Sequence, residues 1–182
     1  MASAGRLTLK STATTNARVG SVAAGAISGS VNVERYFPGK RAFRFLGHPF
    51  NSSIALGQLM ATNGANTGID VTGAGGSTNG FTTTGSNNPS AFNYTPASGN
   101  SATNPDPGWN AIGSASATNW ASKQGLRVFV RGTKGEGLNG LAYTPSATTV
   151  TMSGTLNDGS SPVFSLSNGA SSDYNLIANP LA

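Results

Sequence analysis

The stretch "VNVERYFPGKRAFRFLGHPF", Val31 to Phe50, decides the fold. Its first half, "VNVERYF", alternates so that one face of an extended chain carries Val31, Val33, Arg35 and Phe37. Its second half, "KRAFRFLG", alternates again and sets Arg41, Phe43 and Phe45 against Ala42, Arg44 and Leu46. Pro38-Gly39 between the halves is a turn signal. The pattern therefore predicts two strands joined as a hairpin.

The same stretch carries charges that would meet across such a hairpin. Glu34 lies on the first strand, and Arg41 and Arg44 lie on the second. Carboxylates and guanidiniums on neighbouring strands form bidentate pairs that fix strand register more than they add stability. We predict that Glu34 pairs with Arg44 or Arg41, with Arg131 of the later "FVRG" segment nearby.

The rest of the chain repeats short apolar runs separated by Gly, Asn, Ser and Thr. "RLTLK", "ARVGSV", "GLRVFVRG", "ATTVTMSGTL", "SPVFSLS" and "YNLIANPLA" are all typical of strands. Asn157-Asp158-Gly159 marks a turn between two of them. About ten short strands with Gly-rich turns predict an all-β fold, a jelly-roll-like β-sandwich.

Two other features complete the predicted organisation. "NSSIALGQLM" is the one candidate for a short helix, with Ser52 or Ser53 as its cap. Residues 61–108 are rich in Gly, Asn, Thr and Ser and predict long loops, with a low-complexity linker as the competing interpretation. The predicted division is an amino-terminal, strand-rich arm over 1–37 and a sandwich domain over 38–182.

Composition excludes several classes of function. Charged residues are 9% of the 182, and the net charge of +5 comes from a scarcity of acids, not from runs of Lys and Arg. Nucleic-acid binding needs clustered cations, so no nucleic-acid partner is expected. The chain has no Cys and no apolar run long enough to span a bilayer. "MASAGRLTLK" has no apolar core of a signal peptide, which leaves a cytosolic protein or a processed piece of an exported one.

The order of these motifs resembles a repeated β-rich module of large surface proteins of Bacteroidota that are exported by type IX secretion. The module reads approximately "VERYIP…RAWRFLS…FVRG…GNP". The matching stations are Val33 to Pro38, Arg41 to Leu46, Asn88-Pro89-Ser90, Trp109, Phe129 to Gly132, Gly154 to Gly159 and Tyr174 to Pro180. Family members continue beyond the last motif, whereas this chain ends at "IANPLA". The resemblance implies an extracellular or cell-surface β-module, and it implies no catalytic activity.

Reactive side chains are sparse. His48 is the only His, and no nucleophile elbow accompanies it, so a structural or exposed His is expected. A lone His, no Cys and scattered acids show no metal-ligand spacing, and we predict neither a metal site nor a cofactor. The competing interpretation is a calcium ion held by backbone carbonyls and one of the loop aspartates Asp70, Asp106, Asp158 and Asp173, although no repeated Asp-x-Asp motif supports it. Four aromatic residues would suit stacking on sugars, the competing interpretation being that they fill the core. They are Tyr94, Trp109, Trp120 and Tyr143.

These observations favour a non-enzymatic structural subunit that pairs strands with copies of itself to build a fibre or surface layer. Few charges are available to guard sheet edges, and the arm over 1–37 would complete a neighbour's sheet. The alternative function is an adhesin-like or carbohydrate-binding module that uses the loop aromatics, with surface glycans as partners.

Overall fold

The computed structural model describes residues 7–20, 23–64, 66–96, 108–140, 142–157, 163–166 and 175–179. Among these residues seven strands form two sheets. In chain order the strands are β1 (Thr8–Leu9), β2 (Ser30–Phe37), β3 (Ala42–Leu46), β4 (Ala91–Tyr94), β5 (Trp109–Ala111), β6 (Leu126–Val130) and β7 (Thr148–Thr155).

The first sheet has the order β1-β2-β7. β2 pairs antiparallel with β7 along its whole length, from Ser30 opposite Thr155 to Phe37 opposite Thr148, and β1 joins β2 in parallel. Alternation places Val31 and Phe37 of β2 in the core, together with Val150 of β7. The face predicted for "VNVERYF" is therefore the face that packs.

The second sheet has the order β3-β6-β4-β5, with all pairs antiparallel. Its central strand β6 buries Leu126, Val128 and Val130 completely, while Arg127 and Phe129 point to the other side. Buried residues of both sheets belong to one hydrophobic cluster. The prediction of an all-β sandwich is confirmed.

The predicted hairpin between β2 and β3 is wrong. β2 and β3 lie in different sheets, so the Pro38-Gly39 turn carries the chain from one sheet to the other. The turn is tight, with Lys40 N–H donating to the Pro38 carbonyl oxygen at 2.6 Å. Gly39 lies against the backbone of Pro145, where a Cβ would collide with the carbonyl oxygen. A turn signal reports a reversal of the chain but not which strand becomes the neighbour.

The predicted helix is a single 3-10 turn, Leu56–Met60, capped by the backbone of Ala55 and by no serine side chain. Leu56 and Leu59 are buried, as expected for the apolar side. The Gly57 N–H, which has no acceptor within the turn, donates to the Ala115 carbonyl oxygen at 2.8 Å. A second 3-10 turn spans Gly76–Asn79.

The long loops predicted over 61–108 pack onto the core where they are described. Ile69, Val71 and Phe81 are buried, and β4 lies within this region. Residues 97–107 lie outside the described part of the chain. No helix among the described residues is long and apolar enough to cross a membrane.

The ends of the chain depart from the predicted pattern. The predicted arm over 1–37 contributes β1 and β2, and β2 is the middle strand of the first sheet. Residues 163–166 of "SPVFSLS" form no strand, and in "YNLIANPLA" the described residues contribute one isolated bridge, between Ile177 and Gln124. Asp158 and Gly159 of the predicted turn lie outside the described residues.

Candidate functional site

The side of the four-stranded sheet that faces away from the core carries a continuous layer of aromatic and arginine side chains. We call it the outer face. It follows from strand alternation, because the neighbours of each of its residues along the strand point inward. Its members are Phe43 and Phe45 of β3, Arg127 and Phe129 of β6, Phe92 and Tyr94 of β4, and Trp109 of β5.

Arginine–aromatic stacking organises the outer face. The Arg127 guanidinium carbon lies 3.9 Å from the ring centre of Trp109, 4.9 Å from that of Phe43 and 5.1 Å from that of Phe92. Cation–π contacts of this kind contribute about 0.5–1 kcal/mol each at exposed sites. Arg127 of β6 therefore links its own strand to the other three strands of the sheet from the outside.

A second stack lies at the other end of β6. Arg41 and Arg131 approach the Phe129 ring at 4.8 Å and 5.1 Å. Arg131 also donates to Thr72 Oγ1 at 3.4 Å, and its carbonyl oxygen accepts from the Tyr143 hydroxyl at 2.8 Å. Burial lowers the pKa of Arg131, although a guanidinium stays protonated in proteins.

The predicted ion pair of Glu34 with Arg41, Arg44 or Arg131 is wrong. Glu34 lies on β2, in the other sheet, and its carboxylate accepts from the Ser11 backbone N–H at 3.3 Å and from Asn66 Nδ2 at 3.2 Å. The prediction depended on the hairpin and fails with it. Glu34 joins the turn after β1 to the loop at residue 66.

Arg44 differs from the other arginines because its side chain points to the inner side of β3. It shares that side with Ala42 and Leu46, opposite Val128 of β6. Its Nε and Nη2 atoms are buried without a hydrogen-bond partner. A buried donor without an acceptor costs about 1–3 kcal/mol, so this guanidinium is a site where an added acceptor would stabilise the structure.

The four predicted stacking residues divide into two groups. Tyr94 and Trp109 meet on the outer face, with ring centres 5.0 Å apart. Trp120 is 1% exposed and belongs to the core, which rules it out as a stacking surface. Tyr143 is half-buried beside Arg131. The interpretation that these rings fill the core holds for Trp120.

His48 is a buried structural residue. Its Nδ1 accepts from the Phe50 N–H at 3.3 Å, so Nε2 carries the proton and donates to the Trp120 carbonyl oxygen at 3.1 Å. The ring stacks on Phe50 and meets Trp120 edge-on. Burial lowers the pKa of His48, which favours the neutral ring. In the described part of the chain no three His, Cys, Asp or Glu residues group as metal ligands.

β3 is an edge strand, and among the described residues no backbone partner lies along its outward margin. The Phe129 N–H donates toward β4, to the Ser90 carbonyl oxygen at 2.7 Å, so Val128 and Val130 are the β6 residues that bond to β3. Their partners are Arg44 and Ala42, which leaves the N–H and C=O groups of Phe43 and Phe45 directed away from the sheet. The side chains of Phe43 and Phe45 are 50% and 63% exposed.

In the other sheet, part of the β7 margin is covered. The Gln58 amide bonds to both backbone groups of Ser153 on β7, at 2.6 Å from its N–H and 3.2 Å to its carbonyl oxygen. Asn66 Nδ2 adds a bond to Thr151 Oγ1 at 2.9 Å. On the β1 side, the Ala17 N–H donates to the Lys10 carbonyl oxygen at 2.7 Å. The Gln58 side chain thus occupies the position that a further strand would take beside Ser153.

A cavity of about 460 Å³ lies between the three-stranded sheet and the end of β3. Gly47 and Pro49, which follow β3, form one wall, and Leu9, Val33 and Met152 form the apolar floor. Lys10, Arg18 and Arg35 also line it. The cavity is thus lined by apolar residues of the three-stranded sheet together with basic residues.

The comparisons with known proteins give no relative. No family model matches the chain, and neither the curated proteins nor the solved structures contain a match.

Sequence reasoning missed the open margin of β3 and the Gln58 cover of β7. The first depends on strand order, which alternation does not encode. The second has no signature, because Gln58 is an ordinary polar residue within an apolar run.

Proposed function

We propose that the protein is a non-enzymatic structural subunit of the cell surface that associates with copies of itself through β-strand pairing, building a fibre or surface layer. The observation that carries the proposal is the β3 edge. It offers unpaired backbone groups at Phe43 and Phe45, flanked by their exposed rings. An exposed, apolar edge of this kind is a template for strand addition.

The contrast between the margins supports the same conclusion. The Gln58 amide covers β7 at Ser153, and the Asn51 N–H donates to the Thr155 carbonyl oxygen at 3.0 Å. Monomeric β-proteins guard edges with lysines, prolines, bulges or covering loops. β7 follows that rule at Ser153 and Thr155, whereas β3 presents aromatic rings. The extracellular location follows from the resemblance to secreted surface modules and is part of the proposal.

Introducing lysines at the open edge tests the proposal. The double variant Phe43→Lys and Phe45→Lys places guarding charges on β3 at two exposed positions, and it should leave the fold intact while abolishing assembly. Thr118→Lys in an exposed loop is the control for added charge. Electron microscopy and light scattering across a concentration series measure assembly. Polymers formed equally well by the double variant would refute strand pairing at β3.

Carbohydrate binding is the second candidate, and the pairing of Tyr94 with Trp109 on the outer face is the observation that favours it. Arg127 already covers one face of the Trp109 ring at 3.9 Å, which leaves less of that ring for a sugar. Chitin and cellulose pull-downs or a glycan array with Trp109→Ala test it. Retention by the wild type and its loss in the variant would support this function.

A further inference from the structure

We infer that the partner of the β3 edge is the segment Val163–Leu166 of a second copy of this chain. The inference rests on the proposed self-assembly and names its two contacting parts. The donor is the described portion of "SPVFSLS", which has the composition of a strand but forms none in the single chain. The acceptor is β3.

The donor is exposed to an extent unusual for its composition. Val163 is 79% exposed and Leu166 is 64% exposed, two of the five large apolar residues that are exposed in the described part of the chain. Lys123 Nζ donates to the Val163 carbonyl oxygen at 3.1 Å and lies 6.0 Å from the Phe164 ring centre. One bond from an exposed lysine contributes little, so transfer of this segment to a better partner costs little.

The β3 edge offers the donor segment both backbone hydrogen-bonding groups and apolar surface. Phe43 and Phe45 direct backbone donors and acceptors away from β6, and their exposed rings lie on the outer face. On the inner side, the buried Nε and Nη2 of Arg44 have no partner, and the cavity floored by Val33 and Met152 lies near the end of β3. An added strand would pair its backbone with Phe43 and Phe45 and would place its side chains on both faces of the sheet.

The length of the donor segment agrees with the length of β3. Four extended residues span about 13 Å, which fits alongside a strand of five residues. Alternation separates Phe164 and Leu166 from Val163 and Ser165, so an added strand places apolar side chains on each face of the sheet. Donor and acceptor are different surfaces, so the contact is head-to-tail and propagates into a filament where the rotation does not close a ring.

Complementation between two defective proteins tests the direction of the contact. One protein carries Val163→Lys and Leu166→Lys and has no donor, and the other carries Phe43→Lys and Phe45→Lys and has no acceptor. Each alone should stay monomeric, and their mixture should form a heterodimer that grows no further. Filaments from the Val163→Lys, Leu166→Lys protein alone would overturn the assignment of the donor.

Cross-linking tests the contact itself, because the chain has no Cys and introduced thiols are unique. Phe45→Cys and Leu166→Cys, prepared separately and mixed under oxidising conditions, should give a disulfide-linked dimer. A mixture of Thr118→Cys with Leu166→Cys is the control, and roughly tenfold less dimer is expected there. The altered residues are exposed, and circular dichroism checks the fold.

The other outcomes distinguish the proposal of self-assembly from the assignment of Val163–Leu166 as the donor. If the wild-type protein forms filaments but the mixture of Phe45→Cys and Leu166→Cys proteins gives no disulfide-linked dimer, the assignment of Val163–Leu166 as the donor is overturned. The proposal of self-assembly would then still stand. A dominant dimer of Phe45→Cys with itself would show that two β3 edges pair with each other, which also overturns the donor. A wild-type protein that stays monomeric at high concentration and yields no cross-link would contradict both proposals.

Discussion

Replacing Gln58 with alanine removes the cover from the β7 edge. The change eliminates the bonds of the Gln58 amide to the Ser153 N–H and carbonyl oxygen, at 2.6 Å and 3.2 Å. Each contributes about 0.5–1.5 kcal/mol net, and partial exposure lets water replace some of that, so the free energy of unfolding should fall by about 1–2 kcal/mol. In a chain of this size the melting temperature should fall by about 2–8 °C.

The same change should add a second route of association, because an uncovered edge is available to other chains. Denaturant unfolding measures the stability loss, and light scattering at fixed concentration measures association. Gln58→Met keeps the side-chain volume and removes the bonds, so it should reproduce both effects. An alanine variant as stable as the wild type and no more prone to associate would refute the view that Gln58 guards β7.

Three further predictions concern His48, Trp120 and Gly47, which lie in or beside the core. Burial lowers the pKa of His48 in the folded state, so as the pH falls the unfolded chain takes up a proton at this residue before the folded chain does. The free energy of unfolding should therefore keep its full value above about pH 6.5 and should decline below it by at most about 1.4 kcal/mol per pH unit. Because His48 is the only His, His48→Gln should flatten the stability profile between about pH 5 and 6.5. Trp120→Ala should lower the free energy of unfolding by about 3–5 kcal/mol in denaturant unfolding, because the ring is buried and its Nε1 donates to the Gln124 carbonyl oxygen at 2.9 Å. A loss of stability smaller than that of Trp109→Ala would count against the assignment of Trp120 to the core. Gly47→Ala places a methyl group against Ala178 and should cost about 1–3 kcal/mol, with faster amide exchange at Ala178; unchanged exchange there would argue against this seam.

The sequence predicts well which face of an individual strand is buried. Alternation in "LRVFV" identifies the buried Leu126, Val128 and Val130, and alternation in "RAFRFL" places Phe43 and Phe45 on one face. These patterns are set by the two-residue period of a strand, and each strand shows its own.

What the sequence does not carry is which strands become neighbours. A Pro-Gly turn serves a hairpin and a crossing between sheets equally well, so the pairing of Glu34 with Arg44 was predicted across a contact that does not exist. Trp109 and Trp120 are the same residue type in similar surroundings, and tertiary packing alone puts Trp120 in the core and Trp109 on the outer face. The open margin of β3 is likewise a property of strand order.

Hydrogen exchange at the backbone of β3 tests the central claim most directly. In the monomer the Phe43 and Phe45 amides point away from β6 and should exchange rapidly, while the Arg44 amide is protected by its bond to β6. Assembly should slow exchange at Phe43 and Phe45 to the level of Arg44. Assembled material in which these two amides still exchange at the monomer's rate would contradict strand addition at this edge.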